Sequence, residues 1–209
     1  IPILSEMWGG STRFNDIRRG VGNISPALLS KRLKELEANG LIERIENSAT
    51  EQVDYLRTQL AIDLEPALDA LAKWAQCNVE AATALADTDV PTLMWHMRNY
   101  IETDKLPNRQ VVIRFHFSDP GLKYDTYWAL VRPGKHVEIC SSIPDFDVDL
   151  FVETDHVTLS SILLSRTSIS REIDRGRLFL SGDVVVMRTM KNWLHHRTKE
   201  SPNEIRQLT

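Results

Sequence analysis

The sequence contains little cysteine and no long apolar run. Its two cysteines, Cys77 and Cys140, lie far apart and follow neither a CxxC nor a Cys/His spacing, so no zinc site and no disulfide framework are predicted. No stretch approaches the ~20 apolar residues of a membrane helix, and the N-terminus lacks a basic-then-apolar signal pattern. We therefore expect a soluble protein of the reducing cytoplasm, without a membrane partner.

Motifs of catalysis and cofactor binding are missing as well. The sequence has no Walker loop, dinucleotide fingerprint, nucleophile elbow or zinc-protease motif. Asp145, Asp147 and Asp149 resemble the opening of a calcium loop, but that loop needs glycine and glutamate where this chain has Leu150 and His156. The sequence predicts no catalytic residue, no metal ligand and no cofactor, and we expect a protein that is not an enzyme.

Size and composition predict a globular protein of two domains. The chain has 209 residues, of which 42% are hydrophobic and 26% charged, and this length exceeds the usual size of one domain. A polar stretch that ends in proline, residues 87–91, marks the boundary, so we expect domains at residues 1–87 and 88–209. Because the chain opens at Ile1, inside an apolar segment and without a methionine, we also expect part of the first helix to be missing.

The first 57 residues predict two helices followed by a ribbon. Apolar residues at helical spacing predict a helix from Arg13 to about Val21. Ser25 and Pro26 then provide an N-cap hydroxyl and a first-turn proline for a second helix, which Gly40 would end. Residues 41–46 and 52–56 flank a polar turn at 47–50, as in a two-stranded ribbon. This order is that of a winged helix-turn-helix. The second helix would bury Leu28, Leu29, Leu33 and Leu36 and expose Ala27, Ser30, Lys31 and Lys34 on its opposite side.

The two helices carry positive charge although the whole chain has a net charge of −4. Between Ser11 and Gly40, six positive residues stand against three negative ones. Such a surface binds the phosphates of double-stranded DNA through counterion release, whereas the alternative is an ordinary solvated helix face. The candidate DNA contacts are Arg13, Arg18, Arg19, Ser25, Ala27, Ser30, Lys31, Lys34 and Arg44.

A long helix with an apolar stripe is predicted from about Leu60 to Asp87. The stripe holds Leu64, Leu68, Leu71, Ala75, Ala82 and Leu85. It is longer than the neighbouring ribbon could cover, which favours a homodimer interface of Leu64, Leu68, Leu71, Trp74 and Ala75, with core packing as the alternative. Pro66 is expected in the first turn or at a kink. Asn78 either sets the register of the pair or faces water.

The second half predicts an α+β domain with an antiparallel sheet. After a helix from Val90 to about Glu102, the pattern changes to the alternation of a strand at residues 111–118. Further strands are predicted at 126–131, 136–141 and 148–153, and helices at 159–164, 169–174 and 183–195. Aromatic residues concentrate in this half, and Phe115, Trp128 and Trp193 are candidates for lining an apolar ligand site, although most such side chains form ordinary core.

Residues 13–19, 24–36 and 40–44 resemble the HxlR family of winged-helix regulators, over roughly the first 80 residues. The resemblance implies a dimeric transcription regulator, in which the helix from Ser25 is the recognition helix, the ribbon near Asn47 is the wing, and the helix of Leu64, Leu68, Leu71 and Trp74 belongs to the dimer interface. This chain departs from the family pattern in three places, of which the first is the upstream portion of the first helix, expected to be missing. The wing carries no basic residue between Arg44 and Arg57, and the usual glycine after Thr58 is missing.

The chain from about Val90 onward is similar to sterol-carrier-protein-like domains, through residues 148–152, 159–164 and 176–183. Such domains enclose an apolar cavity between sheet and helices, which implies a small apolar effector as a further partner. We therefore expect a homodimeric DNA-binding regulator whose second domain senses such a molecule. Two alternatives stay open: a carrier of lipids or hydrophobic metabolites that uses the winged helix for assembly, and a second domain that only supports the dimer.

Overall fold

The computed structural model describes residues 1–22, 24–47, 52–80 and 89–194. Its N-terminal part, which we define as the described residues up to 80, has the predicted order of helix, helix and ribbon. The elements are α1 (Pro2–Trp8), α2 (Phe14–Val21), α3 (Pro26–Ala38), β1 (Ile42–Asn47), β2 (Gln52–Arg57) and α4 (Gln59–Asn78).

The start and end of α3 follow the signals in the sequence. Ser25 Oγ accepts a hydrogen bond of 3.2 Å from the Leu28 backbone N–H, and Gly40 adopts a left-handed φ of +68° just after the helix. Leu29 and Leu33 are fully buried, but Leu28 is 43% exposed. The prediction of a buried Leu28 was therefore wrong, because this residue lies about 100° around the helix from Leu29 and faces outward.

The ribbon is an antiparallel pair in which Ile42 lies opposite Arg57. Thr58 Oγ1 donates to the Gly40 carbonyl over 2.6 Å, and the Tyr55 N–H donates to the Thr12 carbonyl over 2.8 Å. These bonds attach the ribbon to the segments before α2 and after α3. Residues 48–50 of the predicted turn lie outside the described residues.

Helix α4 is shorter than predicted. It ends at Asn78, whose side-chain amide donates to the Trp74 carbonyl over 2.8 Å, and Val79 is already extended. Pro66 lies inside the helix rather than in its first turn. Residues 81–88, which contain the remaining stripe positions Ala82 and Leu85 and the predicted domain boundary, lie outside the described residues.

The C-terminal part, defined as residues 89–194, confirms the α+β prediction. Its first helix ends at Met97 rather than near Glu102, and the closing helix is divided in two at Thr189. The elements are α5 (Val90–Met97), a 3-10 turn (Thr103–Lys105), β3 (Val111–Phe117), β4 (Thr126–Val131), β5 (Glu138–Cys140), β6 (Leu150–Thr154), α6 (His156–Leu163), α7 (Ile169–Asp174), β7 (Leu178–Gly182), α8 (Val184–Arg188) and α9 (Met190–Trp193).

These strands form one five-stranded sheet in the order β5-β4-β3-β6-β7. The prediction of an antiparallel sheet holds for three of its pairs, but β3 and β6 are parallel. The reason is the connection after β5. Strands β5 and β6 run in the same direction on opposite sides of the β3-β4 pair, so residues 141–149 cross back along the sheet instead of forming a hairpin.

The apolar side chains form separate cores. The largest cluster joins β3, β4 and β6 to α5, α6 and α9, and Trp193, which is fully buried, donates its indole N–H to the Val186 carbonyl over 2.8 Å. A smaller cluster of Val112, Trp128 and Leu130 lies apart from it. The N-terminal core involves α1, α2 and α3 and receives Ile42 and Ala61. Over the described residues, no helix combines the length and the apolar character needed to cross a membrane.

Candidate nucleic-acid interface

One side of α3 is exposed and carries two cations. The candidates Ala27, Ser30, Lys31 and Lys34 are all exposed, while Leu29 and Leu33 hold the helix against the N-terminal core. Lys31 and Lys34 are three residues apart and therefore share one face. Among the described residues, neither lysine forms an ion pair. Both charges are available to an anionic partner.

Helix α2 adds two arginines next to this face. Arg18 and Arg19 lie in its last turn and are exposed. Arg19 is 3.9 Å from Asp16 and lies over the ring of Trp95, 5.2 Å from its centroid. Arg18 has no hydrogen-bond or ion-pair partner within the described ranges. Both arginines line one cleft with Ser25, the N-cap of α3.

Arg13 and Arg44 are engaged by neighbouring side chains. Arg13 donates to Gln52 over 2.6 Å and lies 3.6 Å from Asp54, so it is attached to the ribbon. Arg44 on β1 pairs with Glu46, and hydrogen bonding to that carboxylate is the main reason that the pKa of Arg44 is raised. These two predicted contacts are less available to phosphates than Lys31 and Lys34, because acidic side chains already neutralise them.

The C-terminal part meets α1 through a buried carboxylate. We define the Glu6 cluster as Glu6, Ser11, Trp95, His96 and Arg98. Glu6 is 4% exposed. Its carboxylate accepts hydrogen bonds from Ser11 Oγ and, over 3.2 Å, from the indole N–H of Trp95. His96 Nδ1 lies 3.4 Å and Arg98 Nη2 3.9 Å from the same carboxylate. Burial lowers the pKa of Arg98, which nearby Glu6 partly offsets. The cluster joins α1 of one part to α5 of the other.

Two glycines allow this close approach. A Cβ atom at Gly20 would overlap the carboxyl group of Glu6, and one at Gly22 would overlap the hydroxyl of Thr92. His96 Nε2 also hydrogen-bonds the Gly20 carbonyl over 2.9 Å. The end of α2 is therefore packed directly on α5. Sequence reasoning missed this contact, because its residues come from three separate elements and form no local motif.

Helix α4 exposes most of the residues predicted for a dimer interface. Leu64, Leu71 and Trp74 are 37%, 55% and 59% exposed. Leu68 and Ala75 are partly buried and, with Trp8 and Leu71, line a groove of about 260 Å³ between α1 and α4. The last turn of α4 is held from the C-terminal part, because Arg166 donates to the carbonyls of Val79 and Ala75 over 2.6 and 3.3 Å.

The three predicted ligand residues lie in the cores and do not line the cleft described below. Phe115 and Trp193 are fully buried in the main core, and Trp128 packs in the smaller cluster. A cleft of about 970 Å³ lies instead between the α2-α3 segment and the C-terminal part. Within the described ranges, no three His, Cys, Asp or Glu side chains are grouped to hold a metal ion.

Comparison with known proteins matches the N-terminal part. The model of the HxlR-like helix-turn-helix family matches residues 1–83. The HTH-type transcriptional regulator YtfH of Escherichia coli (strain K12) is 33% identical over 88 residues, which are 42% of this chain and 70% of YtfH. The HTH-type transcriptional regulator YvaP of Bacillus subtilis (strain 168) is 34% identical over 85 residues, which are 36% of this chain and 79% of YvaP.

Solved structures show weaker likenesses. Reduced YodB, a transcriptional regulator from B. subtilis, is 30% identical and aligns 37% of this chain with 78% of its own at a TM-score of 0.35. Sterol Carrier Protein 2 from Yarrowia lipolytica is 15% identical, and the alignment covers 55% of this chain and 83% of that protein at a TM-score of 0.35. The sec-alkylsulfatase Pisa1 from Pseudomonas sp. is 18% identical and aligns 49% with 16% at 0.40, so this chain spans a small part of that enzyme. All three TM-scores are below 0.5, and these likenesses add nothing to the assignment of function.

Proposed function

The chain belongs to the HxlR family of helix-turn-helix transcriptional regulators, and from that premise we propose that it binds double-stranded DNA as a homodimer, with α3 in the major groove. The observation that carries the proposal is the exposed side of α3. Lys31 and Lys34 project from it without an acidic partner among the described residues, while the leucines behind them are buried. A helix that is held by its apolar side and charged on its free side suits the groove.

The residue types on α3 fit recognition of both bases and phosphates. Serine hydrogen-bonds base edges, and the methyl group of alanine contacts that of thymine, which are roles for Ser30 and Ala27. Lys31, Lys34 and Arg18 would neutralise phosphates. The N-terminus of α3 at Ser25 offers backbone N–H groups to a further phosphate. Small side chains at the start of the helix and cations around it are what such an interface requires.

The apolar face of α4 supports the dimer. Leu71 and Trp74 are more than half exposed in the single chain, and burying such side chains stabilises an assembly in proportion to the apolar area removed from water. A two-fold axis would place the same face of a second copy against it. The alternative of core packing within one chain is disfavoured by that exposure.

Modulation by the C-terminal part is the remaining element of the proposal. The Glu6 cluster and Arg166 attach this part to α1, α2 and α4, so a change within it would reach both the DNA-contacting helices and the dimer helix. The rival function of a carrier has no specific observation in its favour, because Phe115 and Trp193 are packed in the core. DNA binding requires a compartment that holds DNA, in agreement with the cytoplasmic location that the sequence predicts.

The test is the salt dependence of DNA binding. An operator is first selected from random duplexes with the purified protein, and its affinity is then measured from about 50 to 200 mM salt, a range over which several phosphate contacts cost orders of magnitude. The double substitution Lys31→Ala and Lys34→Ala should weaken binding at least about tenfold and make the log-log salt slope shallower by about two per protomer.

The matched control replaces two lysines outside the interface, Lys123→Ala and Lys135→Ala, which are exposed in the C-terminal part. The control should leave affinity and slope unchanged. An equal slope for the wild type and the α3 variant would show that α3 does not contact phosphates, and the proposed orientation would then be wrong.

A further inference from the structure

The cleft of about 970 Å³ is built from both parts of the molecule. We name it the junction cleft and define it by Arg18, Arg19 and Ser25 on the N-terminal side and Trp95, Tyr127 and Ile139 on the C-terminal side. Its volume lies within the range of sites for small molecules. Because it is not enclosed between the sheet and its covering helices, it differs from the apolar interior in which the sequence predicts an effector.

Tyr127, which lines this cleft, has a buried hydroxyl without a partner among the described residues. Tyr127 is 6% exposed, and its hydroxyl has no hydrogen bond within the described part of the chain. Buried polar groups are nearly always paired, so an unpaired one that lines a cleft points to a ligand atom. Burial, followed by the charge of Asp89, raises the pKa of Tyr127, so the phenol stays protonated and able to donate. Edge-on packing against Phe117, at 6.2 Å between ring centroids, fixes the ring.

The charge in the cleft is positive. Arg18 has no acidic partner among the described residues. Arg19 forms a long ion pair with Asp16, with 3.9 Å between the nitrogen and the oxygen. Asp89 is the one acidic residue in the described lining, and its carboxylate accepts from the Thr92 N–H over 2.7 Å as the N-cap of α5. Two guanidinium groups therefore face the cleft against one carboxylate that is already engaged.

Part of the remaining wall is apolar, beside the polar residues Asn15, Thr92 and Ser141. The ring of Trp95 is stacked under Arg98 at 3.4 Å and approached by Arg19 at 5.2 Å, which holds the indole in place. Met94 and Ile139 complete this apolar part. A planar hydrocarbon body packs well against such side chains, since aromatic and apolar groups dominate the walls of small-molecule sites.

We propose that the junction cleft binds a small flat organic acid, whose acid group pairs with Arg18 and Arg19 and whose second polar group hydrogen-bonds the Tyr127 hydroxyl. The effect on DNA binding rests on the proposed function, because Arg18, Arg19 and Ser25 also belong to the surface offered to DNA. Acid and DNA phosphates compete for the same guanidinium groups, so the bound acid weakens DNA binding. By linkage, DNA weakens binding of the acid by the same factor.

The experiment uses the full chain and 6-hydroxy-2-naphthoate as the probe, with the neutral 6-hydroxy-2-naphthamide as its matched partner. Isothermal titration calorimetry measures both at pH 7.5. The acid should bind at least about tenfold more tightly than the amide, because only the acid pairs with guanidinium groups. Equal affinities of acid and amide, or no binding of either, would overturn the proposal.

Two substitutions locate the site. Arg18→Gln should weaken binding of the acid about tenfold or more, and Tyr127→Phe, which removes only the unpaired hydroxyl, about three- to tenfold. Arg188→Gln, an exposed arginine on α8 outside the cleft, is the control and should bind the acid as the wild type does. Thermal melts verify that each variant is folded. Unchanged affinity in both folded cleft variants would place the probe elsewhere and overturn the site.

A DNA readout separates this proposal from the proposed function. Without probe, Tyr127→Phe should bind the selected operator like the wild type, because Tyr127 is not one of the proposed DNA contacts. At saturating acid the wild type should lose DNA affinity at least about fivefold, because the bound acid occupies guanidinium groups that DNA phosphates need. The amide should have no effect. Cleft binding without any DNA binding overturns the proposed function alone. DNA binding that the bound acid does not change overturns the competition.

Discussion

The two parts of the chain differ in where their exposed apolar side chains lie. In the C-terminal part, Trp193, Phe115 and Phe117 are buried almost to the last atom between a five-stranded sheet and its helices. In the N-terminal part, α4 is anchored by Ala61 and Leu68 while Leu71 and Trp74 remain more than half exposed. Exposed apolar side chains occur in the C-terminal part too, such as Ile143, Phe179 and Val185, but they are spread over a loop, β7 and α8. On α4, by contrast, a single helix carries Leu60, Leu64, Leu71 and Trp74, all of them exposed.

The same contrast holds for charge. Arg109 in the C-terminal part pairs with Asp149 and Asp183 at 2.6 and 3.0 Å, but Lys31 and Lys34 on α3 have no acidic partner among the described residues. Paired charges stabilise a chain only modestly at a surface, and unpaired cations on one helix face serve an external anion instead. Both differences agree with the proposal that the N-terminal part binds DNA and a second copy of the chain.

The most direct way to break this comparison is to remove one tryptophan from each part. Trp193→Ala should lower the free energy of unfolding by about 3–5 kcal/mol, because it leaves a cavity in a filled core. Trp74→Ala removes a side chain that is 59% exposed, and its effect should depend on protein concentration, as expected for a dimer contact. Urea denaturation at several protein concentrations measures both. If both variants lost the same free energy of unfolding at every protein concentration, the proposed difference between the two parts would be wrong.

The Glu6 cluster sharpens the comparison, since it joins the two parts. Glu6→Gln keeps the shape but leaves the partly buried Arg98 without its carboxylate, which should cost roughly 2–4 kcal/mol. Urea denaturation measures the loss, and hydrogen exchange should show reduced protection in α2 and α5 but not in β3. The control is Glu153→Gln, an exposed carboxylate on β6. Uniform loss of protection would mean that the cluster does not act at the junction.

Two N-caps provide the smallest contrast. Backbone N–H groups of Val186 and Val185 bonded to the Asp183 carboxylate lower the pKa of Asp183, whereas the hydroxyl of Ser25 caps α3 without charge. The charge of Asp183 therefore stabilises the fold fully above the unfolded pKa of about 3.9 and loses that effect as pH falls through the lower folded pKa.

Melting temperatures at pH 7 and pH 2.5 test this contrast. The loss of stability caused by Asp183→Ala, relative to the wild type, should be smaller at pH 2.5 than at pH 7. The loss caused by Ser25→Ala, about 1 kcal/mol, should be the same at both pH values. If the stability losses of the two variants depended on pH in the same way, the proposed difference in charge between the two caps would be wrong.

Local signals predicted local structure well. The hydroxyl of Ser25, the proline after it and the glycine at 40 act within one helical turn, and the helix they bound was predicted within two residues. Strand β4 coincides with the prediction at both ends. In these segments the physical cause and the sequence pattern occupy the same few residues.

Features that depend on residues far apart in the chain could not be predicted from the sequence. The parallel pairing of β3 with β6 depends on the path of a connecting segment, and the Glu6 cluster combines residues 89 positions apart. The junction cleft was missed for the same reason, because its arginines and its tyrosine belong to different parts. The aromatic residues proposed as ligand contacts show the opposite case, in which a residue type common at binding sites fills the core.

Helix α4 connects the ribbon at one end with the Arg166 contact at the other, and its 20 residues span about 30 Å. An insertion of one residue would turn everything beyond it by about 100°, which would rotate Leu71 and Trp74 away from Ala61 and displace the carbonyls that Arg166 holds. Substitutions on its surface have no such effect. Over evolutionary time, relatives that assemble in this way should tolerate changes in the composition of α4 far better than changes in its length.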